Sequence, residues 1–259
     1  VVLRCLLLVL LLLPAVPAAA GKALPAGLRG LLAAYPDELC GAAGNTLRWC
    51  DGTAMIFDDG RRKTFDTLLS AADLEDQFHL SYPAGPAFPA PPPKNFDPGR
   101  FRNEAFFRKM YGADRAAVEK NLVPVAWPFG PPTTLRVTRV NRVDQKLAAV
   151  IRDLQKLPPA LRTYLEQPAG GYCWRPIAGT DRLSPHSFGI AVDLGGAHVA
   201  YWRWDARKYG GRFAWHNQIP WPIVAAFERH GFIWGGKWYH YDTMHFEYRP
   251  ELLPLSPAE

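Results

Sequence analysis

Cysteine and methionine are scarce in this sequence, with 4 and 3 among 259 residues. No two cysteines form a CxxC pair, which excludes a four-thiolate zinc site. There is no GxSxG turn, so a nucleophile elbow is excluded. A Ser184–His186–Asp193 triad exists in composition only, because Ser184 and His186 lie too close along the chain to converge. Blocks of basic charge are missing as well. Arg61-Arg62-Lys63 is the densest run, and it reads as a solvated turn. Without helix-turn-helix or zinc-finger spacing, no nucleic-acid partner is expected. Internal repeats are absent. So is any apolar run of the ~20 residues that a membrane span needs.

The longest apolar run, Cys5 to Leu13, is stopped by Pro14. Arg4 precedes it and Ala18-Ala19-Ala20-Gly21 follows it, so residues 1–20 read as a secretory signal peptide. The expectation is export to the periplasm, cell wall or exterior, without stable membrane insertion after cleavage, as a monomer. Such compartments permit disulfides. Cys40 and Cys50 flank a short segment that they can close, which leaves Cys173 odd.

The apolar share is 48%, enough for an ordinary core. With 25 Pro, 9 Trp, 10 Tyr and 14 Phe, fixed loops and aromatic packing are expected rather than long helical bundles. The net charge of +6 suits an anionic polymer such as wall glycan.

Along the chain, residues 26–36 read as a short helix. Thr46–Trp49 and Ala54–Phe57 read as a hairpin around Asp51-Gly52. The run "PAGPAFPAPPPKNFDP" at 83–98 allows neither helix nor central strand and reads as an ordered surface strap. Helices are expected at 67–74, 101–111, 115–121, 143–157 and 222–230. Strands are expected at 134–140, 172–177, 189–194, 233–234 and 244–248. Helices precede strands, which predicts an α+β fold. That fold is a small antiparallel sheet with helices packed on one side. The organisation expected is a signal peptide at 1–20, an extension with hairpin and strap at 21–98, and a main domain at 99–259.

The chemistry concentrates in "SPHSFGIAVD" at 184–193. On an unbroken strand, His186 and Asp193 would stand roughly 23 Å apart, at ~3.3 Å per residue. They can share an ion only if the chain bends, and Gly189 permits a bend. The later "WYHYDTMHFEYRPE" adds His240, Asp242, His245 and Glu247. Two imidazoles and a carboxylate suit Zn²⁺ with one position left for water. A turn at Thr243-Met244 would bring Asp242 and His245 to one side, one as ligand and the other as base. His240 competes as the ligand.

"SPHSFGIAVDL" followed by "DTMHFE" resembles the zinc D-Ala-D-Ala metallopeptidases. That family includes D,D-dipeptidases, D,D-carboxypeptidases and L-alanyl-D-glutamate endolysins. The resemblance implies His186, Asp193 and His245 as ligands of one Zn²⁺. It implies Asp242 as catalytic acid/base and Arg175, in "YCWRPIAGT", as the group that stabilises the oxyanion and binds substrate. Ser184 would lie near the substrate terminus. Glu247 would orient a ligand histidine or pair with Arg249. The implied substrate is a peptidoglycan stem peptide, cut first as a D-Ala-D-Ala carboxypeptidase. The alternatives are L-Ala-D-Glu cleavage and a non-catalytic zinc-containing wall-binding module.

Overall fold

Buried apolar side chains at 143, 147, 150, 151 and 154 recur at helical spacing and form the longest helix among the described residues. The computed structural model describes residues 23–254. The signal-peptide reading of 1–20 lies outside the described residues. In chain order the elements are α1 (Ala26–Ala34), β1 (Leu39–Ala43), β2 (Thr46–Trp49), β3 (Ala54–Ile56), α2 (Phe65–Ala71), α3 (Glu104–Tyr111) and α4 (Arg115–Glu119). They continue as β4 (Leu122–Trp127), β5 (Thr133–Thr138), α5 (Val143–Gln155), β6 (Pro168–Gly170), β7 (Ala191–Leu194), α6 (Trp202–Lys208), α7 (Trp221–Glu228), β8 (Phe232–Trp234) and β9 (His245–Tyr248). No helix among the described residues is long and apolar enough to cross a membrane.

The class is α+β, but the strands are not gathered late in one sheet. They form three antiparallel sheets: β1-β2-β3, β4-β5 and β6-β7-β9-β8. The expected hairpin is present as β2–β3, with Thr46 opposite Ile56, and β1 adds a third strand. A disulfide joins Cys40 to Cys50, while Cys173 is free and exposed.

Caps move several helix starts. Asn103 Oδ1 accepts from the Phe106 N–H at 2.9 Å, so α3 begins at Glu104 rather than 101. Thr64 caps α2 in the same way, so that it begins at Phe65, two residues ahead of the expected start. The strand expected at 172–177 does not form. Pro176 has no N–H for a ladder and makes only an isolated bridge to Leu183. Conversely, β4 forms despite Pro124, within a sheet of only two strands.

The strap at 83–98 is held against the body. Lys237 Nζ donates to the carbonyls of Pro83 at 2.6 Å and Gly85 at 2.8 Å, and Trp238 Nε1 donates to Pro98 O at 2.7 Å. One apolar core contains residues from both sides of position 98, from Leu28 to Tyr248. Tyr35 and Trp49 pack edgewise or tilted on Phe106, and Phe227 stacks on Phe246 at 3.8 Å between ring centres. The N-terminal elements thus share the core that supports β9.

Candidate metal centre and active site

Three features bring the chemistry together. First, Pro185–Phe188 form a single 3-10 turn whose Ser184 Oγ accepts the His186 N–H. Gly189 then takes φ +68° and reverses the chain. A β-carbon there would stand 2.9 Å from Thr138 N and 2.6 Å from Leu122 Cδ2, so both the conformation and the close approach require glycine. Second, β7 and β9 pair so that Asp193 lies directly opposite His245, and cross-strand partners share a face. Third, Thr243-Met244 form a turn in which the His245 N–H donates to Asp242 O at 3.1 Å.

The outcome is a tight cluster. His186 Nε2 is 3.1 Å from Asp193 Oδ1. His245 Nδ1 is 3.0 Å from the same oxygen and 3.3 Å from His186 Nε2. The outer nitrogens are engaged elsewhere. His186 Nδ1 meets Gly171 O at 2.6 Å, and His245 Nε2 meets Glu247 Oε2 at 3.4 Å. A carbonyl and a carboxylate only accept, so both outer nitrogens carry protons, and with a cation in the cluster both inner nitrogens would turn lone pairs to it. Three acceptor atoms aimed at one point suit a cation, and the donor set suits zinc.

The electrostatics agree. Burial would raise the Asp193 carboxyl, but His186 and then His245 hold it well below the usual range. Burial disfavours the His245 cation, yet hydrogen bonds to Asp193 and Glu247 raise it to about 10. The centre therefore attracts positive charge, whether proton or metal ion.

Asp242 differs. Its Oδ1 is buried with no hydrogen-bond partner among the described residues. Burial pushes its carboxyl up to about 6, with His245 pulling against that and Asp193 adding to it. A divalent cation in the cluster would draw it back down. An unpartnered buried carboxylate with a raised pKa is poised to take and return a proton.

His186, Asp193, Asp242 and His245 line one pocket of about 230 Å³, with Arg175 and Ser184 in the same wall. Arg175 is exposed, and its backbone is clamped from both sides by Ser187 Oγ at 3.0 and 2.9 Å. Ser184 is buried, and its hydroxyl serves the turn that carries His186. Glu247 is buried, contacts His245, and is also held by Arg102 and by Arg249 at 3.2 Å. Glu247 thus meets both His245 and Arg249.

His240, the competing ligand, lines the pocket but is not in the cluster. Asp97 takes it away: the His240 Nδ1 and backbone N–H meet that carboxylate at 2.6 and 2.9 Å. Sequence reasoning missed Asp97, Arg100, Arg102 and Arg182. Asp97 sits at the end of the Pro-rich strap and no local pattern marks it.

Two imidazoles and one carboxylate, with an unpartnered carboxyl beside them, define the class of site found in mononuclear metallohydrolases. Residues 178–248 match the family model described as D-alanyl-D-alanine carboxypeptidase. This shows the resemblance to the zinc D-Ala-D-Ala metallopeptidases over that segment, which is less than half of the chain. The matched segment contains the three converging side chains and Asp242 but not Arg175. No curated protein and no solved structure matches the chain.

Proposed function

We propose that this chain is an exported zinc peptidase that hydrolyses peptidoglycan stem peptides, acting first as a D-Ala-D-Ala carboxypeptidase. The observation that carries the reading is the convergence of His186 Nε2, Asp193 Oδ1 and His245 Nδ1 within 3.0–3.3 Å. The family match supports peptide hydrolysis, and the Cys40–Cys50 disulfide fits an oxidising compartment. The unpartnered carboxyl at 242 favours an enzyme over a binding module, which has no need of a proton acceptor there.

Zinc bound by these three side chains would supply Lewis acidity to the scissile carbonyl and to water. Asp242 accepts the proton of the attacking water and delivers it to the departing amine. Arg175, a permanent cation with a planar donor fork, stabilises the negative charge that grows on the carbonyl oxygen. Gly171 O and Glu247 hold the two imidazoles in the tautomers that face inward.

Digestion of purified muropeptides, read by mass spectrometry, tests this. Loss of one terminal D-Ala is expected, abolished by a chelator and restored by added zinc. Release of a stem cut after L-Ala would favour the endopeptidase alternative. Chelator-resistant cleavage, or none at all with zinc present, would contradict the reading.

A further inference from the structure

Four guanidinium groups line the pocket: Arg100, Arg102, Arg175 and Arg182. Two are already matched. Arg100 pairs with Asp97 at 2.7 Å, and Arg102 grips Glu247 through both of its arms. Arg175 and Arg182 have no carboxylate partner among the described residues. The catalytic account uses one free guanidinium, for the oxyanion. A second free guanidinium, half-buried in the same lining, is available to a negative charge that arrives with the substrate.

Arg182 is well placed to meet it. Its backbone closes a tight loop: the Ile177 N–H donates to Arg182 O at 2.8 Å, and the Arg182 N–H donates to Thr180 Oγ1 at 3.3 Å. Pro176 bridges to Leu183, whose N–H is anchored to Glu104 Oε2 at 3.0 Å. Glu104 is itself engaged by Arg108 Nε at 2.8 Å. The side chain is half-buried. Burial, then repulsion from Arg102 and Arg100, lowers its pKa to about 10, against some attraction to Glu104. Arginine stays protonated under ordinary conditions. The site therefore holds a partly desolvated cation that an anionic ligand would stabilise.

We propose that Arg182 is the specificity residue of this pocket and binds a free carboxylate on the substrate residue that follows the cleaved bond. The inference rests on the peptidase reading above and deepens it. Such a carboxylate has two sources in a stem peptide, the C-terminus of D-Ala-D-Ala and the α-carboxylate of D-Glu after L-Ala. A planar guanidinium fork matches either one in two parallel hydrogen bonds.

The test uses two substrate pairs, an acyl-D-Ala-D-Ala peptide and an L-Ala-γ-D-Glu peptide, each with that carboxylate free or amidated. For the pair that is cleaved, the wild type should prefer the free acid in kcat/KM. Arg182→Gln should lose about 10- to 100-fold on the acid and little on the amide, and Arg182→Lys should restore part of the loss. Calorimetric binding of the same peptides to the zinc-loaded Asp242→Asn protein reads the preference without turnover. Equal turnover and equal binding of acid and amide by the wild type, or equal losses on both in Arg182→Gln, overturn the inference and leave the peptidase reading standing. Acid-selective binding that depends on Arg182, with no cleavage of any peptide, supports the inference and removes the peptidase reading.

Discussion

Asp242→Asn is expected to keep its zinc and its fold while losing peptide hydrolysis by about 10³-fold, within the range for general acid-base groups. The substitution preserves shape and removes only the capacity to accept a proton. Asp242 is outside the three-atom cluster, so metal content should be unchanged. Its Oδ1 has no hydrogen-bond partner among the described residues, so an amide at this site breaks no bond to that oxygen. Loss of turnover with intact zinc and an unchanged thermal midpoint identifies a chemical role. Turnover at the wild-type rate would show that another group moves the proton.

Arg249→Met is expected to destabilise the protein by ~3–5 kcal/mol, the cost of removing one partner from a buried ionic network. Arg249 is fully buried. Its Nε donates to Glu251 Oε1 at 2.6 Å, and its Nη1 donates to Glu247 Oε1 at 3.2 Å and Gly99 O at 2.9 Å. Burial opposes its charge, but Glu251 and Glu247 more than compensate and raise its pKa above the usual value. Without it, Glu247 retains Arg102, while Glu251 keeps, among the described residues, only Tyr35 Oη as a side-chain donor, at 2.6 Å. Globular domains are stable by ~5–15 kcal/mol, so the loss is a large fraction of the total. Arg115→Ala serves as the contrast, because Arg115 is exposed in its pair with Glu119 and exposed pairs contribute little to stability. Urea unfolding of both variants checks the ranking. Equal effects would mean that the buried network carries no special weight.

What the sequence made legible follows how local the physics is. The bend at Gly189 could be read because a histidine and an aspartate flanking an apolar run cannot otherwise share a partner. The turn at Thr243-Met244 followed from the three-residue spacing of Asp242 and His245. The helix at Val143–Gln155 carries its own periodicity, and Asp-Gly marks the hairpin between Trp49 and Ala54. Residues 172–177 look apolar and extended but donate elsewhere, with Tyr172 N–H going to Arg136 O and Cys173 N–H to His186 O. The Asp97–His240 pair and the Arg102–Glu247 pair join positions well over a hundred residues apart, and no local pattern encodes them. The orientation of the His186 ring is set by Gly171 O, a backbone atom that no residue type announces. The converging side chains were readable for the same reason that their supports were not: a candidate metal site needs particular side chains, while supports need only position.

Metal content per folded chain, measured by elemental analysis after zinc loading and extensive dialysis, tests the candidate centre most directly. One zinc per wild-type chain is expected, with loss of the metal in His186→Ala, Asp193→Ala and His245→Ala and retention in His240→Ala. Wild-type protein that holds no zinc, or three ligand variants that keep a full equivalent, would contradict it.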